Sequence, residues 1–167
     1  MAFPGVDIID LHGPLEVLYF VAANRYLNVK IINPTSANVV IDVPLNNRFN
    51  STFKPEIVGT ATLEDDLELD FLLVPGGAAA RDPTLTYVDD YINRMFPAKV
   101  KNLVTVCTGA LFAARGGVLD NRRATTNKNA WDLVTQHGSN VTWVAPARWV
   151  HDGNIWSSSG VSGEVKL

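Results

Sequence analysis

The chain has 167 residues, a formal net charge of −3, 47% hydrophobic residues and 19% charged residues. A chain of this length buries roughly 70% of its unfolded surface, which predicts one domain with a proper core. No apolar run approaches the roughly 20 residues of a membrane span, and the Lys and Arg residues are scattered, so a membrane protein is excluded and no surface for nucleic acid is indicated.

The compartment follows from two features. The opening "MAFPGVDIIDLHG" lacks the basic and apolar pattern of a secretory signal, and the chain has a single Cys, which cannot form an internal disulfide. Both favour a cytoplasmic protein.

The first half of the chain contains four structural signals. Pro at the first helical position predicts a helix from about Gly13-Pro14, where Leu15, Leu18 and Ala22 share a face. "LNVKIINP" alternates like a strand, and "DFLLVPGG" resembles a strand buried on both faces. The acidic run Leu63 to Asp70 between them predicts a solvated loop.

The second half alternates helices with strands. "YVDDYINRMF" has helical periodicity, "VKNLVTV" predicts a strand, and helices are predicted after Cys107 and over "NKNAWDLVTQHG". Two strand-like runs, "NVTWVA" and "NIWSSS", follow, separated by the turn signal His151 to Asn154. The four tryptophans are expected in the core: Trp131, Trp143, Trp149 and Trp156.

This alternation predicts an α/β fold with a doubly wound, mostly parallel sheet. Ligands of such folds bind at the carboxyl ends of the strands, where "PGG" and Cys107 both lie.

Cys107 is the principal candidate for chemistry. A lone Cys is ordinarily a small buried hydrophobe, but this one lies between a strand and a helix, on the kind of sharp turn that exposes a nucleophile. Gly109 suits that turn because a side chain would crowd it. The helix N-terminus is expected to lower the pKa of the thiol.

Two further segments converge on the same edge of the sheet. Gly76 and Gly77 can present backbone N–H groups which, with that of Thr108, would form an oxyanion-hole-like site, although a plain turn is the alternative. Asp10 is either a general acid/base or a helix cap. Glu16 is a second candidate carboxyl, and no histidine falls into an obvious triad.

Together these segments resemble the ThiJ/PfpI superfamily, and within it the isonitrile hydratase-like branch. The resemblance rests on "FPGVDIIDLHGPLEVL", "LLVPGG", "VTVCTGALFAARGGVLDNRRATTN" and "ARWVHDGNIWSSSGVS". It implies the flavodoxin-like, three-layer fold of class I glutamine amidotransferases, a homodimer, a small-molecule substrate, and no cofactor or metal. It makes Cys107 the nucleophile, Asp10 its acidic partner, and Gly76, Gly77, Thr108 and Gly160 the anion- or substrate-binding positions.

The sequence departs from the family pattern at three places. Asn127 stands where many relatives have His. Only Met1-Ala2-Phe3 precedes "PG", and the chain stops at Leu167 after "SSGVSGEVKL". We therefore expect a domain over 1–167 that lacks the first strand and the last helix, with unpaired neighbouring strands and open apolar surface.

The predicted activity is cysteine-dependent addition of water to an isonitrile, giving an N-substituted formamide. Four alternatives remain open: a glyoxalase or deglycase acting on reactive dicarbonyls, a redox sensor oxidised at Cys107, a ligand-binding domain of the type fused to regulators, and a remnant without a competent fold.

Overall fold

A computed structural model of the protein describes residues 1–41, 47 and 49–160. The helices are α1 (Ile8–Ala22), α2 (Thr86–Met95), α3 (Gly109–Arg115) and α4 (Trp131–Val134), with a 3-10 turn at Ala78–Arg81. The strands are β1 (Ile32–Asn33), β2 (Val39–Val40), β3 (Glu56–Ile57), β4 (Ala61–Thr62), β5 (Leu69–Val74), β6 (Val100–Val106), β7 (Arg123–Ala124), β8 (Thr142–Trp143), β9 (Trp149–Asp152) and β10 (Ile155–Ser158).

The largest sheet has the order β5-β6-β10-β9. β5 and β10 both run parallel to β6, and β9 closes the edge as the antiparallel partner of β10. In the register, Thr105 pairs with Val74 on one side and with Ser157 on the other. The predicted α/β fold with a mostly parallel sheet is therefore confirmed, and the carboxyl ends of β5, β6 and β10 meet at one edge.

Residues 1–3 connect this sheet to the β1–β4 pair. The backbone nitrogen of Met1 donates to the Leu73 oxygen of β5 at 2.8 Å, and that of Ala2 donates to the Ile32 oxygen of β1 at 2.9 Å. All three residues are buried. β1 and β5 are thus hydrogen-bonded through this segment at these two points, where the sequence predicted unpaired strands. The prediction of a missing last helix concerns chain beyond residue 160, which lies outside the described residues.

The two faces of the large sheet differ in burial. The row Leu72, Leu103 and Ile155 is at most 2% exposed. On the opposite face, Phe71 is 63% exposed and Trp156 is 38% exposed, so that face carries exposed apolar side chains.

Two of the four tryptophans lie on this exposed face. Trp149 and Trp156 are exposed, and Trp156 stacks on His151 with ring centroids 3.8 Å apart. Trp131 and Trp143 are half-buried. The prediction of a tryptophan core is wrong for Trp149 and Trp156, because alternation along β9 and β10 puts them on the less covered face, whereas Trp143 packs against the core.

The first helix begins earlier than the sequence predicted. Asp7 is its N-cap, and the carboxylate of Asp7 accepts the N–H groups of Ile9 at 2.9 Å and Asp10 at 3.2 Å. Pro14 therefore lies inside α1 rather than at its start. This early start turns Asp10 into a first-turn residue, which is 1% exposed.

The remaining helices vary in their agreement with prediction. α2 matches the periodic segment and packs on α3, where Arg115 and Asp89 form an ion pair of 2.8 Å.

α4 is a single turn, because the amide oxygen of Asn127 accepts the N–H groups of Asn129 and Ala130 and holds the preceding segment in a turn. β1 is likewise shorter than the predicted strand.

Candidate active site

Cys107 occupies the sharp turn between β6 and α3. It has a φ of 58°, a left-handed conformation that costs a non-glycine residue about 1–2 kcal/mol. The Cys107 N–H donates to the Ser158 oxygen at 2.9 Å, and the Cys107 oxygen accepts the Thr126 hydroxyl at 2.9 Å. These two hydrogen bonds hold the strained backbone in place. The residue as a whole is 6% exposed.

Two glycines make this turn possible. A β-carbon on Gly109 would stand 2.2 Å from the Val74 oxygen, so a side chain would indeed crowd the turn. Gly160, with a φ of 81°, lies directly against the thiol: a β-carbon there would be 2.4 Å from Cβ of Cys107 and 3.1 Å from its Sγ. The segment that follows β10 therefore reaches the sulfur only because residue 160 has no side chain.

Asp10 reaches the same edge from the first turn of α1. Its Oδ2 accepts the Gly76 N–H at 3.2 Å in a buried hydrogen bond. A β-carbon on Gly76 would lie 3.0 Å from that Oδ2 and 2.6 Å from the Thr108 hydroxyl, so Asp10, Gly76 and Thr108 converge. Asp7 is the cap of α1, which leaves the Asp10 carboxylate directed at the sheet edge. Glu16 is exposed, further along α1.

Gly77 is joined to Thr108. The Gly77 N–H donates to the Thr108 hydroxyl at 2.9 Å, and that hydroxyl donates to the Gly77 oxygen at 3.1 Å. The N–H groups of Gly76 and Gly77 are thus both hydrogen-bonded within the protein. The Thr108 N–H, in contrast, donates to no acceptor in the part of the chain that the structure describes. Its role in stabilising a developing negative charge stays a prediction.

Asn127 is buried beside the same strand end. Its amide nitrogen donates to the Ser159 oxygen at 3.4 Å, while its amide oxygen holds the turn before α4. The imidazoles bond elsewhere: His12 with the Ile8 oxygen, and His151 with the Gly153 oxygen.

Thr126 is the site residue that sequence reasoning missed. It follows β7, and its hydroxyl fixes the carbonyl of Cys107. The available signal was its place just beyond the carboxyl end of a short parallel strand, a position where parallel sheets build their sites.

Across the described residues, no group of three or more His, Cys, Asp or Glu side chains is arranged to hold a metal ion. No described helix is long and apolar enough to span a bilayer.

The chain belongs to the DJ-1/PfpI family, whose model matches residues 1–167. This strand-turn-helix cysteine at the edge of a parallel sheet therefore lies in a fold of the flavodoxin-like type, as predicted. Among curated proteins, the isonitrile hydratase of Pseudomonas putida is 29% identical over 170 residues, covering 99% of this chain and 65% of that protein.

Solved structures agree with the family. A ThiJ/PfpI family protein from Pseudomonas syringae superposes with a TM-score of 0.66 at 25% identity, over 97% of this chain and 61% of that one. An AraC family transcriptional regulator from Pseudomonas putida gives a TM-score of 0.73 at 19% identity, over 96% and 82% of the two chains. The second likeness is one of fold alone. The chain spans less than two thirds of both the hydratase and the Pseudomonas syringae protein.

Proposed function

We propose that the protein adds water to a small isonitrile and releases an N-substituted formamide, with Cys107 as nucleophile and Asp10 as general acid/base. The observation that carries the proposal is the convergence of the Cys107 turn and the buried Asp10 carboxyl on Gly76 and Thr108. The 29% identity with an isonitrile hydratase supports the substrate class.

The chemistry balances with these two groups and water. The Cys107 sulfur bonds to the terminal isonitrile carbon while the protonated Asp10 delivers a proton to that carbon, giving a thioimidate. The Asp10 carboxylate then takes a proton from water, whose oxygen bonds to the same carbon. Asp10, protonated again by that water, passes the proton to the substrate nitrogen, giving a tetrahedral N–H intermediate. The carbon–sulfur bond then breaks and the thiolate leaves, while the added hydroxyl gives its proton to the Asp10 carboxylate as the formamide carbonyl forms. The net change is the addition of one water.

Thr108 assists in this scheme through its backbone. Its N–H is available to the negative charge that develops during attack. The Gly77 N–H donates to the Thr108 hydroxyl at 2.9 Å in this structure. It could donate to the substrate as well only if it gave up that hydrogen bond.

We further propose that the domain over residues 1–167 works as a cytoplasmic homodimer on a small-molecule substrate, without a cofactor. Membership of the DJ-1/PfpI family supports this part of the proposal. Light scattering after size-exclusion chromatography measures the mass directly, and a monomer at working concentration contradicts the dimer.

The activity is tested with a small aryl isonitrile and chromatographic detection of its formamide. We expect Cys107→Ala to reduce turnover to background, and Asp10→Asn to reduce it by about a hundredfold or more. Asp90→Asn is the matched control, because Asp90 is an exposed carboxylate on α2. Unchanged turnover in Cys107→Ala rejects the mechanism. Lactate from methylglyoxal without added glutathione, in the absence of formamide production, would favour the glyoxalase alternative instead.

A further inference from the structure

Lys128 is a half-buried lysine whose ammonium group is directed inward. Its Nζ donates to the Thr125 hydroxyl at 2.8 Å and to the Thr126 oxygen at 3.3 Å, and it stands 4.9 Å from the centre of the Trp131 ring. No carboxylate of the described residues forms an ion pair with it. Burial lowers the pKa of Lys128. A partly buried ammonium group costs free energy unless it is compensated, and here no ion pair with a described carboxylate compensates it. The position of Lys128 therefore has to be explained by its other contacts.

Lys128 donates a hydrogen bond to Thr126, and Thr126 in turn donates one to Cys107, the proposed nucleophile. The Thr126 hydroxyl donates to the Cys107 oxygen at 2.9 Å, in a buried hydrogen bond. That oxygen belongs to the same peptide unit as the Thr108 N–H. Because a peptide unit is planar with its C=O and N–H pointing in opposite directions, fixing the oxygen also fixes the direction of the N–H.

We propose that Lys128 is a positioning residue for Cys107 and that it acts through Thr126 to orient the Cys107–Thr108 peptide. This inference rests on the proposed role of Cys107 as nucleophile. Lys128 does not touch the reacting atoms in this scheme. It fixes the segment Thr125-Thr126, and that segment fixes the thiol and the amide beside it.

An ammonium group suits this position. It offers three donors, and the structure provides a hydroxyl, a carbonyl and an aromatic face as its partners. A methionine at position 128 would fill similar space without donating, whereas an arginine would keep the charge and the donors. These two substitutions separate the positioning role from simple packing.

The test uses two readouts on the full chain: alkylation of Cys107 by iodoacetamide at pH 7, and turnover of the aryl isonitrile. We expect Lys128→Met to lower both rates by roughly tenfold, with KM little changed and the melting temperature within the range of folded controls. Lys128→Arg should restore most of the loss. Lys101→Met is the control, because Lys101 is an exposed lysine paired with Asp70.

A double-mutant cycle with Thr126→Val tests the route. If Lys128 acts through Thr126, the loss in the double variant will be close to that in Thr126→Val alone. If the losses of the two single variants multiply in the double variant, the inference is overturned. Unchanged rates in Lys128→Met also overturn it, as does a loss of rate no larger than the unfolded fraction of that variant seen by circular dichroism. If the natural sequence forms no formamide while the alkylation series behaves as stated, the isonitrile proposal fails and the role of Lys128 stands.

Discussion

Gly160 and Cys107 approach each other so closely that a β-carbon on Gly160 would stand 2.4 Å from Cβ of Cys107. Gly160 also has a φ of 81°, which favours glycine. We therefore expect Gly160→Ala to displace either the thiol or the end of β10, and to lower turnover and Cys107 alkylation by at least roughly tenfold.

The matched control for that substitution is Gly153→Ala. Gly153 has a comparable φ of 63°, but a β-carbon there would meet only the end of the flexible Arg122 side chain, at 3.1 Å. Gly153→Ala therefore introduces the same kind of backbone strain without placing a β-carbon against the thiol. Equal losses of alkylation in the two variants would show that strain, and not the approach to Cys107, is responsible.

Thr108 should matter to stability as well as to chemistry. Its side chain both accepts from and donates to Gly77, and it is 5% exposed. Thr108→Val removes both hydrogen bonds and leaves the Gly77 N–H without its partner, which should lower the free energy of unfolding by about 1–2 kcal/mol. Thr108→Ser keeps the hydroxyl and should lose less in urea denaturation. Equal stability of Thr108→Val and the natural sequence would contradict this assignment.

The ion pair between Asp89 and Arg115 joins α2 to α3, with both side chains less than one-fifth exposed. Desolvation raises the pKa of Asp89, and the adjacent Arg115 opposes that effect. Arg115→Met should lower the free energy of unfolding by about 3 kcal/mol, because it leaves the Asp89 carboxylate buried and unpaired.

The double variant Asp89→Leu/Arg115→Met should be more stable than either single variant, since no charge then remains to be compensated. Lys101→Met breaks an exposed pair and should produce no resolvable change in the same denaturation series. Additive losses in the double variant would show that the two side chains act separately.

Two helical glycines should respond differently to substitution by alanine. Gly13 lies inside α1, where, apart from its chain neighbours, a β-carbon meets only Cγ2 of Ile9 at 3.8 Å. The ring of Pro14 disfavours the helical conformation for a preceding residue with a β-carbon, so Gly13→Ala should change the free energy of unfolding by less than the about 1 kcal/mol that alanine ordinarily gains over glycine in a helix. Gly109 opens α3 against the Val74 oxygen, so Gly109→Ala should lower it by about 3 kcal/mol or prevent folding. Thermal denaturation distinguishes them, and a stable Gly109→Ala variant would mean that the turn can shift.

The sequence by itself determined the α/β class, the β6–Cys107–α3 turn and the helix α2. These features depend on local order along the chain: an apolar run, a periodic helix, and a glycine two positions after the cysteine. The motifs around Cys107, Asp10 and Gly76 also identified the edge of the sheet at which they would meet, because parallel strands end together.

Only the tertiary structure decided which partner each of these groups takes. The N–H groups of Gly76 and Gly77 are bound to Asp10 and Thr108, and Thr126 and Lys128 stand behind Cys107. It also decided that two of the tryptophans are exposed. The physical reason is that hydrogen-bond partners and burial depend on segments far apart in the chain, such as the 66 positions between Asp10 and Gly76, and local pattern does not encode such distances.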